Sequence, residues 1–208
     1  MKKIAIAIMA ASLAAGCSTL DTSSSSKKSG VYEDPSAVSK NAGVGIESND
    51  IVEVTTKIIE SMLKSPTLAA RKTPPRIVID SQFFVNESTS RLNKKLLTDR
   101  LRVELNRSAK GKMVFVGREY AGMVEQEREL KRDGVVDAGT IRTTQAAAGA
   151  DFRLGGRILS LDSQEKDSQT ASRYHQIVFE MIDLELGTIV WNDLYEFKKT
   201  AQDNVMYR

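Results

Sequence analysis

The chain is poor in the residues that carry most protein chemistry. Among 208 residues it has one cysteine, Cys17, and one histidine, His175. A single thiol excludes an internal disulfide. A serine triad would have only His175 as its base, and no Gly-x-Ser-x-Gly elbow accompanies it. One histidine and one cysteine are too few nitrogen and sulfur ligands for a zinc site. There is no P-loop, no calcium loop, and Gly155-Gly156 is not a dinucleotide fingerprint. No pair of carboxylates is nominated for glycoside chemistry. Glu125, Glu127 and Glu129 alternate, so a helix scatters them over a solvated face. His175 reads as a solvent-facing strand histidine. The chain is therefore expected not to be an enzyme and to need no cofactor or metal.

Long apolar runs are also missing. The longest, Ile4 to Ala15, is interrupted only by Ser12 and is too short to cross a bilayer as a helix. It follows Lys2 and Lys3 and ends Leu13-Ala14-Ala15-Gly16-Cys17. A positive start, a short apolar core and small residues before the cut make a signal peptide over 1–16. Cys17 sits where bacterial lipoproteins carry the thiol that receives a diacylglycerol, and it is the expected lipid-attachment residue. Ser18 in place of Asp points to sorting toward the outer membrane, facing the periplasm. Several buried acyl chains, palmitate among them, hold firmly where one holds marginally.

Charge is nearly balanced. Removal of 1–16 takes away Lys2 and Lys3 and leaves 28 basic against 27 acidic residues. That excludes bulk nucleic-acid binding, which needs a basic excess. Residues 17–46 are polar, serine-rich and without apolar periodicity, and read as a lipidated tether. From Cys17 to the domain the tether would reach ~100 Å if fully extended, and ~30 Å as a coil. A single domain over 47–200 follows, expected to be monomeric, with 201–208 as a tail.

Apolar spacing predicts a helix over 50–64, stopped by Pro66, and a buried strand over 76–85. A second helix over 91–108 carries Leu92, Leu96, Leu97, Leu101, Val103 and Leu105. A strand over 112–117 and helices over 118–131 and 140–148 come next. Three long strand patterns close the chain at 151–163, 172–184 and 188–199, with turns at 167–169 and 185–187. The order α β α β α α β β β defines an α+β domain. It has one mixed sheet packed by about four helices on its faces and ends in an antiparallel meander. Nine basic residues lie between Arg91 and Arg118 against two acidic ones, and read as the polar side of the second helix.

These residues taken in order resemble a family. A lipobox and tether precede a helix, then the strand Arg76-Ile77-Val78-Ile79-Asp80. Later come Gly149-Ala150-Asp151-Phe152 and the hairpin Leu186-Gly187-Thr188-Ile189-Val190-Trp191. The pattern over about 47–199 resembles LpoB, the outer-membrane lipoprotein activators of class A penicillin-binding proteins, whose architecture is shared by CsgG and the amino-terminal domain of TolB. The resemblance implies noncovalent binding to a peptidoglycan synthase. Enterobacterial members carry a long proline-rich tether, whereas this one is short and serine-rich. Aromatic positions that follow the Gly-Ala entry in the family are here Arg153, Gly155 and Gly156. Arg153, Arg157 and Arg173 are the candidate partner contacts. The competing expectation is a subunit of a CsgG-like secretion complex, or another envelope-assembly scaffold. Its membrane strands would need about 9–11 residues each.

Overall fold

The computed structural model describes residues 32–38, 43–69, 71–137, 139, 148–164 and 170–202. Cys17, the 140–148 helix except its last residue, and the 167–169 turn lie outside them. Asp34–Arg208 forms one unit. Its elements are α1 (Ser48–Lys64), α2 (Pro66–Ala69), β1 (Arg76–Asn86), α3 (Lys94–Ser108) and β2 (Val114–Phe115). A 3-10 turn (Arg118–Tyr120), α4 (Ala121–Arg132), β3 (Phe152–Gln164), β4 (Thr170–Asp183) and β5 (Ile189–Gln202) complete the order. The five strands form one sheet, ordered β2-β1-β3-β4-β5. β1 pairs in parallel with β2 and β3, whereas β3, β4 and β5 form an antiparallel meander. The α+β class and the mixed sheet are as expected.

Local chemistry explains the elements and their departures from expectation. α1 buries Ile51, Val54, Ile58 and Met62, three or four apart. Its cap is Glu47: the Glu47 backbone N–H donates to Asp50 Oδ2 at 2.7 Å in a reciprocal capping box. Pro66 does not simply end the helix. It begins the short α2, as proline can at a first helical position. α3 starts at Lys94, because the Asn93 side chain accepts from the Lys95 N–H. Only Leu97, Leu101 and Leu105 of its leucine-rich set are buried along with Thr98, while Leu96 and Val103 face outward. β2 shrinks to two residues. It follows a turn at Lys110 and Gly111, both at positive φ, and runs directly into the 3-10 turn.

The Gly-Ala-Asp-Phe segment is a junction. The Asp151 side chain accepts from the Arg76 N–H and the Asp151 N–H donates back to the Arg76 carbonyl, both at 2.8 Å. The Asp151 carbonyl accepts from the Leu184 N–H at 2.9 Å. One residue thus fastens the start of β3 to the start of β1 and the end of β4. In the 184–188 turn, Gly187 takes φ +68, and Asp183 Oδ1 accepts from the Glu185 and Leu186 amides.

One sheet face carries the core. Phe152, Leu154, Ile158, Ile177, Phe179, Met181 and Trp191 join α1 and α3 residues in a single buried cluster. Full burial of each large side chain contributes about 1.5–3 kcal/mol. Gly156 sits at its centre. A Cβ there would lie 2.5 Å from the Phe84 ring and 2.5 Å from the Val178 carbonyl. Phe84 occupies that space and packs on Phe179, with ring centroids 5.4 Å apart.

His175 lies on this core face and is fully buried, which corrects the solvent-facing expectation. It alternates with Ile177 and Phe179, so its side chain points inward. Its Nε2 is 2.6 Å from the Val44 carbonyl, which can only accept, so Nε2 carries the proton. The ring stacks on Phe197 at 4.8 Å, and Nδ1 is buried without a hydrogen-bond partner. Lys199 Nζ donates to the Gly45 carbonyl at 3.1 Å and to Asp50. The segment entering α1 is therefore clasped to the far end of β4 and β5.

Two outcomes follow. Gly156→Ala drives a methyl into Phe84 and costs about 1–3 kcal/mol, read as a lowered urea midpoint. Burial, reinforced by the nearby Arg173 and Lys199, holds His175 below the ordinary histidine range, against the opposing pull of Val44 and Asp50. The unfolded chain then binds a proton that the folded chain refuses. Stability is complete above about pH 6.5 and declines as pH falls below it. His175→Phe removes that slope between pH 7 and 5, as measured by urea unfolding.

Candidate partner-binding face

The opposite face of the sheet is not covered by α1 or α3. Because partners in a ladder share a face, the register defines it row by row. Val85, Arg157, Val178 and Leu194 form one row, and Val78, Arg153, Ile182 and Ile189 another. Leu161, Tyr174 and Lys198 form a third. Leu161 is 69% exposed, Phe83 53%, Ile189 52%, and Val85 and Leu194 45% each. Val78 is buried on this face, but Phe83, Val85, Leu161, Ile189 and Leu194 present apolar side chains to solvent. A contiguous exposed apolar surface with a polar rim marks an interaction site.

Irregular β1 shapes the rim. Ile79 pairs with Leu154, but Phe84 pairs with Gly156, so residues 80–83 bulge. Arg153 holds the bulge. Its guanidinium pairs with Asp80 at 2.7 Å, reaches Gln82 at 3.1 Å and lies 4.6 Å from the Phe83 ring centroid. Arg157 is more exposed and faces Glu180 at 3.7 Å, a loose surface pair. Arg153 and Arg157 therefore stand together on the open face. Arg173 does not join them. It lies on the helix side, paired with Asp162 and within 3.5 Å of Ser90. That pairing holds the Asp162 carboxyl below the usual range.

Part of the basic stretch around α3 is paired in place, at Lys95, Arg102 and Arg107. Glu119, from the 3-10 turn, pairs with Lys95 at 2.8 Å and with Arg102, and Asp99 pairs with both. The two cations hold Glu119 down at about 2. Arg100 donates to Thr55 on α1 at 3.0 Å. Among the described residues, no group of three or more histidine, cysteine or acidic side chains could hold a metal ion. No described helix is long and apolar enough to cross a membrane.

Phe83, Val85, Leu161, Ile189 and Leu194 were not singled out by sequence. Alternation in β4 signals two faces, but the bulge in β1 and the paired glycines in β3 hide which residues join them.

The fold is a one-domain α+β protein with a mixed five-stranded sheet, α1 and α3 on one face, and exposed apolar side chains on the other. The family model described as "Peptidoglycan-synthase activator LpoB" matches residues 50–197, and the chain belongs to that family. Among solved structures, the LpoB C-terminal domain from Salmonella enterica is similar at 14% identity and a TM-score of 0.42, over 71% of this chain and 98% of that one. The LpoB C-terminal domain from Escherichia coli is similar at 15% identity and 0.41, over 71% and 98%. Lipoprotein GNA1162 from Neisseria meningitidis gives 16% identity and 0.32, over 64% and 88%. No curated protein matches the chain.

Arg153→Ala should cost about 1–3 kcal/mol, because it strands Asp80 and frees the bulge. Arg153→Lys should recover only part of that, since an ammonium cannot both fork to Asp80 and Gln82 and stack on Phe83. Denaturant unfolding of the two variants checks both outcomes.

Proposed function

We propose that the chain is an outer-membrane lipoprotein that binds a class A penicillin-binding protein in the periplasm and activates peptidoglycan synthesis. The observation that carries the reading is the match to an activator family across 50–197, joined to apolar side chains exposed on the sheet face away from α1 and α3. In this reading residues 1–16 are a cleaved signal and Cys17 carries the lipid. The globular domain acts as a monomer and catalyses nothing itself. Activation then requires tighter binding to the working state of the synthase than to its resting state. The open face supplies the contact, through the exposed apolar side chains of Val85, Leu161 and Leu194 together with Arg153 and Arg157 on its central strand. Arg173 is a less direct contributor, since it lies on the other face.

The clasp at Val44 and Gly45 bears on reach. It fixes the residues just before α1 to the domain, so a tether from Cys17 would end before Val44.

The full chain, immobilised and exposed to envelope extract, is expected to enrich a class A penicillin-binding protein. The double variant Val85→Asp, Leu194→Asp should lose at least tenfold of that capture while keeping its unfolding midpoint, because both positions are solvent-facing. Cys17→Ser should release the protein from membranes and end palmitate incorporation without touching capture. Enrichment of other envelope proteins instead, or equal capture by the double variant, overturns the reading.

A further inference from the structure

A groove lies at the β2 edge of the sheet, between β2 and α4. β2 is the last strand in the sheet order. Its Val114 and Val116 amides donate to Pro75 and Ile77 of the β1 side at 2.9 and 2.8 Å. Backbone groups alternate along a strand, so the N–H and C=O of Phe115 point the other way, toward α4. No described strand pairs with β2 on that side. α4 runs beside this edge and contributes Ala121, Val124, Glu125, Arg128 and Arg132, which share one helical face. Strand edge and helix face bound a groove of about 590 Å³.

Three observations describe what the groove takes. Its floor is a strand edge, its far wall a helix, the geometry in which an extended peptide adds as a strand. Its surface is partly apolar: Val114 and Val124 stay 47% and 41% exposed, and α4 has no buried residue although its sequence is amphipathic. Its charge is one-sided, with Arg118, Arg128 and Arg132 lining it against Glu125. The extended stretch Val114–Gly117 along the groove, at about 3.3 Å per residue, offers room for roughly four residues of a partner.

We propose that the β2–α4 groove binds an extended, acidic segment of a partner protein by strand addition to β2. Main-chain hydrogen bonds to the Phe115 edge align the segment, the valines take its alternate apolar side chains, and Arg118 and Arg132 select its carboxylates. The site is separate from the open face formed by β1, β3, β4 and β5, and it does not depend on the synthase reading.

The test uses the full chain and a fluorescein-labelled eight-residue peptide alternating valine with glutamate, followed by fluorescence anisotropy at 0.15 M salt. Two control peptides replace glutamate by lysine, or place a proline at the centre of the acidic sequence. The acidic peptide is expected to bind at least tenfold more tightly than either control. The variant Arg118→Glu, Arg132→Glu should lose that preference and favour the lysine peptide, with its unfolding midpoint unchanged. Val85→Asp, Leu194→Asp should bind the acidic peptide normally, which separates this site from the open face. Equal binding of the proline-containing peptide would reduce the groove to a charged surface and overturn strand addition. Absence of acidic-peptide binding, or its appearance only after residues 138–147 are deleted, overturns the proposal, the latter by giving the groove to the chain itself.

Discussion

Phe84 fills the space that a side chain on Gly156 would need, and the two faces of the sheet depend on that contact. The ring closes the core against Phe179 just where β1 rejoins β3 after its bulge. With Phe84 turned inward, Val85 must turn outward, and the four bulged residues place Phe83 and Asp80 against Arg153. A β-carbon at position 156 would push β1 off β3 and disturb the core and the outer rows together. The paired glycines, unremarkable as a motif, are thus what lets a phenylalanine cross the sheet.

From this arrangement comes a division of labour. α1 and α3 bury one face so completely that even a histidine is sealed inside it. The opposite face buries Val78 but leaves Val85, Leu161, Ile189 and Leu194 about half exposed or more. In the proposed function, that exposed hydrophobic surface is where the synthase docks. The clasp of Val44 and Gly45 by His175 and Lys199 adds a mechanical element, because it is the point at which any pull through the amino-terminal segment enters the sheet.

Much of the fold was readable from residue order. The α1 stripe, the β1 core residues and the closing hairpin with Gly187 and Trp191 stand where periodicity and turn chemistry put them. His175 was misread because its polarity outweighed its position, although it alternates in step with Ile177, Phe179 and Met181. The candidate arginines show the limit more sharply. Residue alternation alone relates Arg153 to Arg157, but relating either to Arg173 requires the register of the β3–β4 hairpin. In that register odd positions of β3 share a face with even positions of β4, and Arg173 falls on the other side. The bulge at 80–83 was equally invisible, since a run with Ile77, Val78, Ile79, Phe83 and Phe84 reads as one continuous buried strand.

The central claim is that the open face is the working surface, and photo-cross-linking in cells tests it most directly. A photoreactive side chain replaces Leu161 or Leu194 on the open face, or Glu60 on α1 as the helix-side control. The account predicts cross-links to a class A penicillin-binding protein from 161 and 194 and none from 60. Cross-links to the synthase from position 60 alone would contradict it.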